Sequence, residues 1–361
     1  METIGRNDMK KVVIVAASTL RYSPYINYYS KIFEDEGVEY ELIIPNRSND
    51  RDLFSAKVNV LPWAEKRSTL INYIIYSKEV YRYIKNTNFD GLIILTSQNA
   101  VFMSPWLTKK YNKKYIIDIR DYSHENLTLY RIVEKKSINC AYSAIISSRK
   151  FTTFLPNGNY YICNNIGKYS IEQAKRSLNI SKKLPIVIGY VGGVNPDYIQ
   201  QNKALMNLVA NDDRFELQYY GKISENSVYL NEAHSLHCNR IQFFGEYTPS
   251  EKEAIINRVD ILNNAYGFGI PLLDTALSNK LYDALIFRKP IITCPTTYMQ
   301  EMAGPLGYPI DFTTTESLEG LYNWYINLEV HTINTYCEES LIEMAEDNQR
   351  TEQMILEFLN S

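Results

Sequence analysis

The chain has 361 residues, a formal net charge of −3 at pH 7, and 45% hydrophobic against 22% charged residues. That length suits two domains of about 100–200 residues each. The mild acidic balance excludes nucleic acid as the main partner, because a phosphate backbone demands a cationic surplus. The five cysteines, Cys140, Cys163, Cys238, Cys294 and Cys337, show no CxxC spacing and read as reduced thiols in a cytosolic protein, with no zinc site. No segment reaches the roughly 18 apolar residues of a membrane span, and the apolar run after Lys10-Lys11 is too short for a signal peptide.

Strands and helices alternate from the start. Residues 12–16 read as a strand, 25–36 as a helix stopped at Gly37, and 40–44 as a strand closed by Pro45. Helix 68–85, strand 92–95, helix 102–110, strand 115–119, helix 127–140 and strand 144–147 follow. On helix 68–85 the stripe Leu70, Tyr73, Ile74, Ser77, Val80, Tyr81 and Ile84 is expected to face the core, with Tyr76 and Tyr83 outside. A polar connector over 157–183 precedes strand 186–191, which ends in Gly192-Gly193, and strands 215–220 and 241–244, each also running into a glycine. Thr248-Pro249-Ser250-Glu251 has the capping-box spacing with proline at the first helical position, predicting a helix over 249–258. Strand 259–263, helix 278–287, strand 290–294 and a terminal helix over 338–359 complete the chain. Short apolar runs separated by helices predict parallel, doubly wound sheets. The fold class is therefore α/β, with Rossmann-like domains over 1–165 and 166–340 facing a cleft and a C-terminal helix, 341–361, crossing back.

The chemistry concentrates at Ser278-Asn279-Lys280-Leu281-Tyr282-Asp283. A helix beginning here offers unpaired amides and the positive end of its dipole to an anion. Lys280 is electrostatically misplaced in a first turn unless an anion compensates it, and a solvated lysine is the plain alternative. Asp283, one turn on, can accept hydrogen bonds from the vicinal hydroxyls of a ribose. Phosphate beside ribose describes a nucleotide. Asp50-Arg51-Asp52 formally matches a metal-binding Asp-x-Asp, but its charged loop reads as solvated, and no metal is expected.

Two such domains, with the Asn-Lys-Leu-Tyr-Asp element late in the second, resemble the retaining GT-B glycosyltransferases of bacterial capsule and exopolysaccharide synthesis (glycosyltransferase family 4-like). Gly189-Tyr190-Val191-Gly192-Gly193, Phe243-Phe244-Gly245-Glu246-Tyr247-Thr248 and Asp118-Ile119-Arg120-Asp121 are similar to that family's segments in order and spacing. Its pair of glutamates seven residues apart fits in two registers, Tyr266/Asp274 or Thr275/Asp283. The second is preferred because helix-to-strand spacing is fixed by geometry. Both lack the first glutamate, Arg288-Lys289 stands where relatives place a glycine, and no arginine follows Gly193.

The resemblance implies a donor site of Gly193, Lys203, Lys222, Tyr247, Ser278, Asn279, Lys280 and Asp283, with Lys203 or Lys222 supplying the missing cation. It implies catalysis or acceptor contact by His124, Asp121 and Arg120, and acceptor-side contact by Arg21. The expected partners are a nucleotide sugar, as a UDP-sugar, and a lipid-linked glycan acceptor, with no cofactor or metal. The basic run Lys109-Lys110-Tyr111-Asn112-Lys113-Lys114, preceded by Trp106, suggests peripheral contact with anionic lipid at the inner face of the cell membrane. A homo-oligomer stays open. So do two rival functions: a sugar-nucleotide 2-epimerase of the same fold, and a catalytically silent partner of a true transferase.

Overall fold

The computed structural model describes residues 10–16, 25–46, 57–64, 66–167, 177–181, 183–194, 196–223, 227–310, 314 and 316–361. Two compact units emerge, one of residues 1–165 with 346–361 and the other of residues 166–345. Asp50, Asp52 and Arg21 lie outside the described residues.

Unit 1 runs β1 (Lys11–Val15), α1 (Ile26–Asp35), β2 (Glu39–Pro45), β3 (Lys57–Leu61), α2 (Thr69–Ile84), β4 (Gly91–Leu95), α3 (Ser97–Lys110), β5 (Tyr115–Ile119), α4 (Thr128–Cys140), β6 (Ser143–Ile146) and β7 (Tyr160–Ile162). All strands pair in parallel, in the order β3-β2-β1-β4-β5-β6-β7. The central strands β4 and β5 are buried at every position, as helices on both faces require. The edge strand β3, only half-buried, and the three-residue β7 carry weaker apolar signals and escape a sequence reading.

Helix α2 is rotated relative to the expected stripe. Its buried side carries Asn72, Tyr73, Tyr76, Ser77, Val80 and Ile84, whereas Leu70, Ile71 and Ile74 are exposed. Tyr76, expected outside, is fully buried because its hydroxyl donates to the carbonyls of Ala16 (2.7 Å) and Ile43 (3.0 Å). Those backbone partners satisfy the phenol and let a large ring occupy the core. Several other tyrosines are buried on the same terms: Tyr29 donates to Asp118 Oδ2 at 2.6 Å and Tyr115 to the Ser137 carbonyl at 2.6 Å.

Unit 2 runs β8 (Ile186–Val191), α5 (Ile199–Ala210), β9 (Phe215–Tyr220), α6 (Val228–Ser235), β10 (Ile241–Gly245), α7 (Lys252–Arg258), β11 (Ile261–Asn263), α8 (Pro271–Thr275), α9 (Asn279–Phe287), β12 (Ile291–Thr293), α10 (Tyr298–Ala303), β13 (Gly307–Pro309) and α11 (Ser317–Ile326). Its parallel sheet has the order β10-β9-β8-β11-β12-β13. The capping box forms, with Thr248 N–H donating to Glu251 Oε2 at 2.7 Å, and a 3-10 turn over Pro249–Glu251 leads into α7. The last helix, α12 (Val330–Asn360), gives Ile333, Cys337, Leu341 and Met344 to the core of unit 2. Its later residues Met354, Ile355, Phe358 and Leu359 join the core of unit 1.

Candidate functional site

In unit 2 the strand order reverses between β8 and β11, and the carboxyl ends of strands flanking such a switch point form the natural crevice of an open parallel sheet. Lys280 is directed there. Ser278 caps α9, its Oγ accepting from Lys280 N–H at 3.1 Å and donating to Asn264 Oδ1 at 2.7 Å. The Lys280 side chain is buried, only 3% of the residue being exposed. Its ammonium donates to Tyr266 Oη at 2.5 Å, lies 3.8 Å from the centre of the Tyr190 ring and 4.7 Å from that of Tyr266. Tyr198 stacks on Tyr266 with centroids 4.2 Å apart. Gly192, with φ of 137°, closes the cage: a Cβ there would stand 3.6 Å from the ammonium.

This cage is made of rings and hydroxyls, and no carboxylate lies within ion-pair distance of Lys280 among the described residues. Burial pushes the Tyr266 phenol up, but the charge and hydrogen bond of Lys280 outweigh it, so the phenol sits below the ordinary tyrosine range. The cation thus polarises its own support. Removing the hydroxyl with Tyr266→Phe is expected to loosen the ammonium and, if this cage takes the diphosphate proposed below, to weaken its binding by about tenfold in calorimetric titration.

The other expected donor residues divide. Asp283 is buried and bonded to Lys252 Nζ at 2.7 Å. Burial raises its carboxyl pKa despite the opposing charges of Lys252 and Lys280. Tyr247 is half-buried close to both: burial, then Asp283 and Tyr266, push its phenol up to about 12. Asn279 is exposed in the first turn of α9. The helix amides contribute less than expected, since Ser278 N–H is donated to Met299 Sδ at 3.3 Å and Lys280 N–H to the cap. At this turn the group left to meet an anion is the ammonium of Lys280 rather than these amides. Gly193 adjoins the cage but a Cβ would meet nothing within 4 Å, so Gly192 is the glycine that touches it. Lys203 pairs with Glu232 of α6 at 2.8 Å and Lys222 with Glu246 at 3.6 Å, both on open surface. Neither contacts the ammonium cage. In the alternative register, Asp274 accepts from Gly269 N–H at 2.8 Å and shapes the loop before α8.

Sequence reading did not find Tyr190, Tyr198 or Lys252 as members of this site. Tyr190 precedes the glycine pair and so had a positional signal; nothing local couples Lys252 to a carboxylate 31 positions later.

In unit 1 the reversal falls between β1 and β4. Thr96, at the end of β4, has φ of 76°, a costly conformation for a β-branched residue, and caps α3 by accepting from Asn99 N–H. His124 is exposed, 3.3 Å from Gln98 Nε2, with its ring edge-on to Tyr130 at 5.6 Å. Asp121 also keeps open surface; the protein packed around it pushes its carboxyl up to about 6, Arg120 opposing, and water contact moderates the effect. Arg120, expected at catalysis or acceptor contact, is buried, only 7% of the residue being exposed. Its guanidinium is buried, donating to Asp118 Oδ2 at 2.7 Å, the Cys163 carbonyl at 3.1 Å and Asn165 Oδ1 at 3.1 Å, and stacking on Tyr25. Its Nε also lies 2.7 Å from Asp118 Oδ1, an ion contact rather than an aligned hydrogen bond. The i, i+2 spacing of Asp118 and Arg120 puts them on one side of the strand end and was the available signal.

Behind His124 lies a buried carboxyl pair. Glu125 accepts from Ser123 N–H at 2.6 Å, and Ser97 Oγ lies 2.8 Å from the Tyr130 hydroxyl. Neither oxygen of Glu134 makes a well-formed hydrogen bond, although Glu125 and Ser97 stand close enough to influence its proton. Burial, then Glu125, raise its carboxyl to about 8. A raised carboxyl stabilises the fold in its protonated form. That contribution is complete below the ordinary carboxylate range near 4.5 and lost as pH climbs through about 8. Glu134→Gln should therefore melt higher than the native chain by about 5 °C at pH 8 and by nothing at pH 4.

No family model matches the chain, and no curated protein matches it in sequence. Solved structures do match over nearly all of it. Sucrose-phosphate synthase from Thermosynechococcus elongatus superposes with a TM-score of 0.75 at 10% identity, covering 98% of this chain and 100% of that one. A glycosyltransferase from Rickettsia africae gives 0.67 at 13%, covering 98% and 99%. The Anabaena protein HepE, solved with UDP and glucose, gives 0.66 at 13%, covering 97% and 99%. The fold is GT-B. The GT-B assignment accounts for the two parallel sheets of seven and six strands.

Proposed function

We propose that this GT-B protein is a glycosyltransferase that moves a sugar from a nucleoside diphosphate sugar, a UDP-sugar, to a lipid-linked or growing glycan in bacterial surface polysaccharide synthesis. The observation that carries the reading is the Lys280 ammonium, buried among tyrosine rings at the switch point of unit 2 with no carboxylate at ion-pair distance among the described residues. A buried cation of this kind is completed by an anion, and a diphosphate leaving group is one. Lys280 would neutralise the charge that develops as the glycosidic bond to phosphate breaks, which removes the need for a metal. Tyr247 and Asp283 would meet the nucleoside, and unit 1 would take the acceptor with His124 and Asp121 near it. Retention of anomeric configuration, the lipid carrier and a place at the inner face of the membrane follow the family resemblance. HepE, solved with UDP and glucose, supports the choice of donor class.

Incubation with a panel of nucleotide sugars and polyprenyl-diphosphate-linked glycans should yield a glycosylated lipid product and free nucleoside diphosphate. Nucleotide sugar converted to its 2-epimer without an acceptor would replace this reading with the epimerase. An absence of nucleotide binding in calorimetry would leave only the silent partner.

A further inference from the structure

Lys252 and Asp283 are bonded to each other in unit 2, and each keeps unused hydrogen-bonding capacity. Lys252 opens α7 directly after the capping box, where Glu251 is already engaged by the N–H and the hydroxyl of Thr248, each at 2.7 Å. The lysine is left to reach across to α9, and its Nζ donates to Asp283 Oδ1 at 2.7 Å. Among the described residues its ammonium makes no second hydrogen bond, so two of the three N–H groups stay open, and Asp283 Oδ2 accepts none. The lysine side chain is 36% exposed and that of the aspartate 11%. An ion pair drawn this far out of water offsets its desolvation only when its remaining donors and acceptors are satisfied as well. The described residues do not satisfy them.

The pair stands beside the Lys280 cage. Asp283 follows Lys280 on α9 by about 5 Å along the helix axis. Tyr247, just before the capping box, lies near enough to Asp283 for the carboxylate to help burial push its phenol up to about 12. A second phosphate is a poor occupant here, because Asp283 cancels the charge of Lys252 and repels an anion. A pair of neighbouring hydroxyls is a good one. Each hydroxyl both donates and accepts; a carboxylate alone answers only its proton and an ammonium only its lone pairs, and side by side they answer both. We propose that Lys252 is a specificity-determining residue of the donor site, forming with Asp283 a clamp for the two vicinal hydroxyls of the nucleotide's ribose. The assignment rests on the proposed glycosyl-donor function and adds to it the lysine and the selection it imposes. Asp283 Oδ2 accepts from one hydroxyl, the open N–H groups of Lys252 donate to the hydroxyl oxygens, and the bond to Oδ1 fixes how the carboxylate is turned. A nucleotide without the diol leaves both groups unmatched and gains only its other contacts.

Calorimetric titration of the full chain with UDP and with dideoxy-UDP, which lacks both ribose hydroxyls, reads the selection as a ratio of affinities. Wild type should prefer UDP by about 50-fold. Lys252→Met should cut that preference to about fivefold, while Lys252→Arg, which keeps a cation and its donors, should hold most of it. A lysine that only braced α7 against α9 would, when removed, weaken both ligands alike and leave the ratio at its wild-type value, and that result would overturn the proposal. Lys252→Met strands a buried carboxylate, so its melting temperature should fall. Lys252→Met/Asp283→Asn should recover it while binding the two nucleotides within about threefold of each other. Equal binding of UDP and dideoxy-UDP by wild type would overturn the clamp and leave the diphosphate site at Lys280 standing. Binding of neither would remove the donor function itself, and the clamp with it.

Discussion

Replacing Lys280 with methionine should leave the protein at least as stable as before while nucleoside diphosphate affinity falls by about 100-fold or more. The two effects part because the ammonium is held by groups that only partly compensate its burial. Its hydrogen bond goes to a phenol at 2.5 Å and its ring contacts to Tyr190 and Tyr266, while the carboxylate one turn along, Asp283, is bonded to Lys252. Cation–π contact returns about 2 kcal/mol in a desolvated site, less than an isolated ammonium forfeits on leaving water. Methionine fills the same space without that deficit. The depressed Tyr266 phenol does not reverse the balance near neutral pH. An acid whose folded pKa is lowered adds stability only above that pKa and loses it as pH falls through it, so the Tyr266–Lys280 pair contributes on the alkaline side. Thermal melts and titration with UDP measure the two effects separately. A melting temperature lowered by about 5 °C or more with unchanged UDP affinity would make Lys280 a structural post and remove the donor site from this crevice.

What could be read from the sequence followed physical locality. Lys280 was visible because a lysine in a helix's first turn opposes the dipole there, an anomaly that needs no tertiary knowledge. The central strands were visible because β4 and β5 are apolar at nearly every position and buried on both faces. Helix α2 misled because hydrophobicity alone ranks Leu70 and Ile74 above Tyr76, while the carbonyls that admit the Tyr76 hydroxyl exist only once β1 and β2 are in place. The cage around Lys280 assembles Tyr190, Tyr198 and Tyr266 from three separate segments, so no local window contains it. The Arg120–Asp118 pair is the opposite case: the partners stand two residues apart, so their buried contact had a local signal in the sequence.

Gly221→Ala should be the most damaging small substitution in unit 2, costing about 3 kcal/mol or more and lowering the melting temperature by about 10 °C. Gly221 has φ of 146°, which a residue with a Cβ rarely adopts, and its Cβ would stand 1.8 Å from the Gly192 carbonyl oxygen. The obstacle is backbone and cannot rotate aside. Nor can the two turns separate cheaply, since Gly221 N–H donates to the Gly245 carbonyl at 2.7 Å and Gly192 N–H to the Tyr220 carbonyl at 2.9 Å. Displacing Gly192 would also move the wall of the Lys280 cage, so surviving folded protein should bind UDP weakly. Gly193→Ala is the matched control. Its Cβ would project into open space, so stability should not change, and any loss of UDP affinity would report the ligand itself lying against that turn. Wild-type stability in Gly221→Ala would mean that the ends of β8 and β9 do not approach as closely as these contacts require, and the caged ammonium would lose its support.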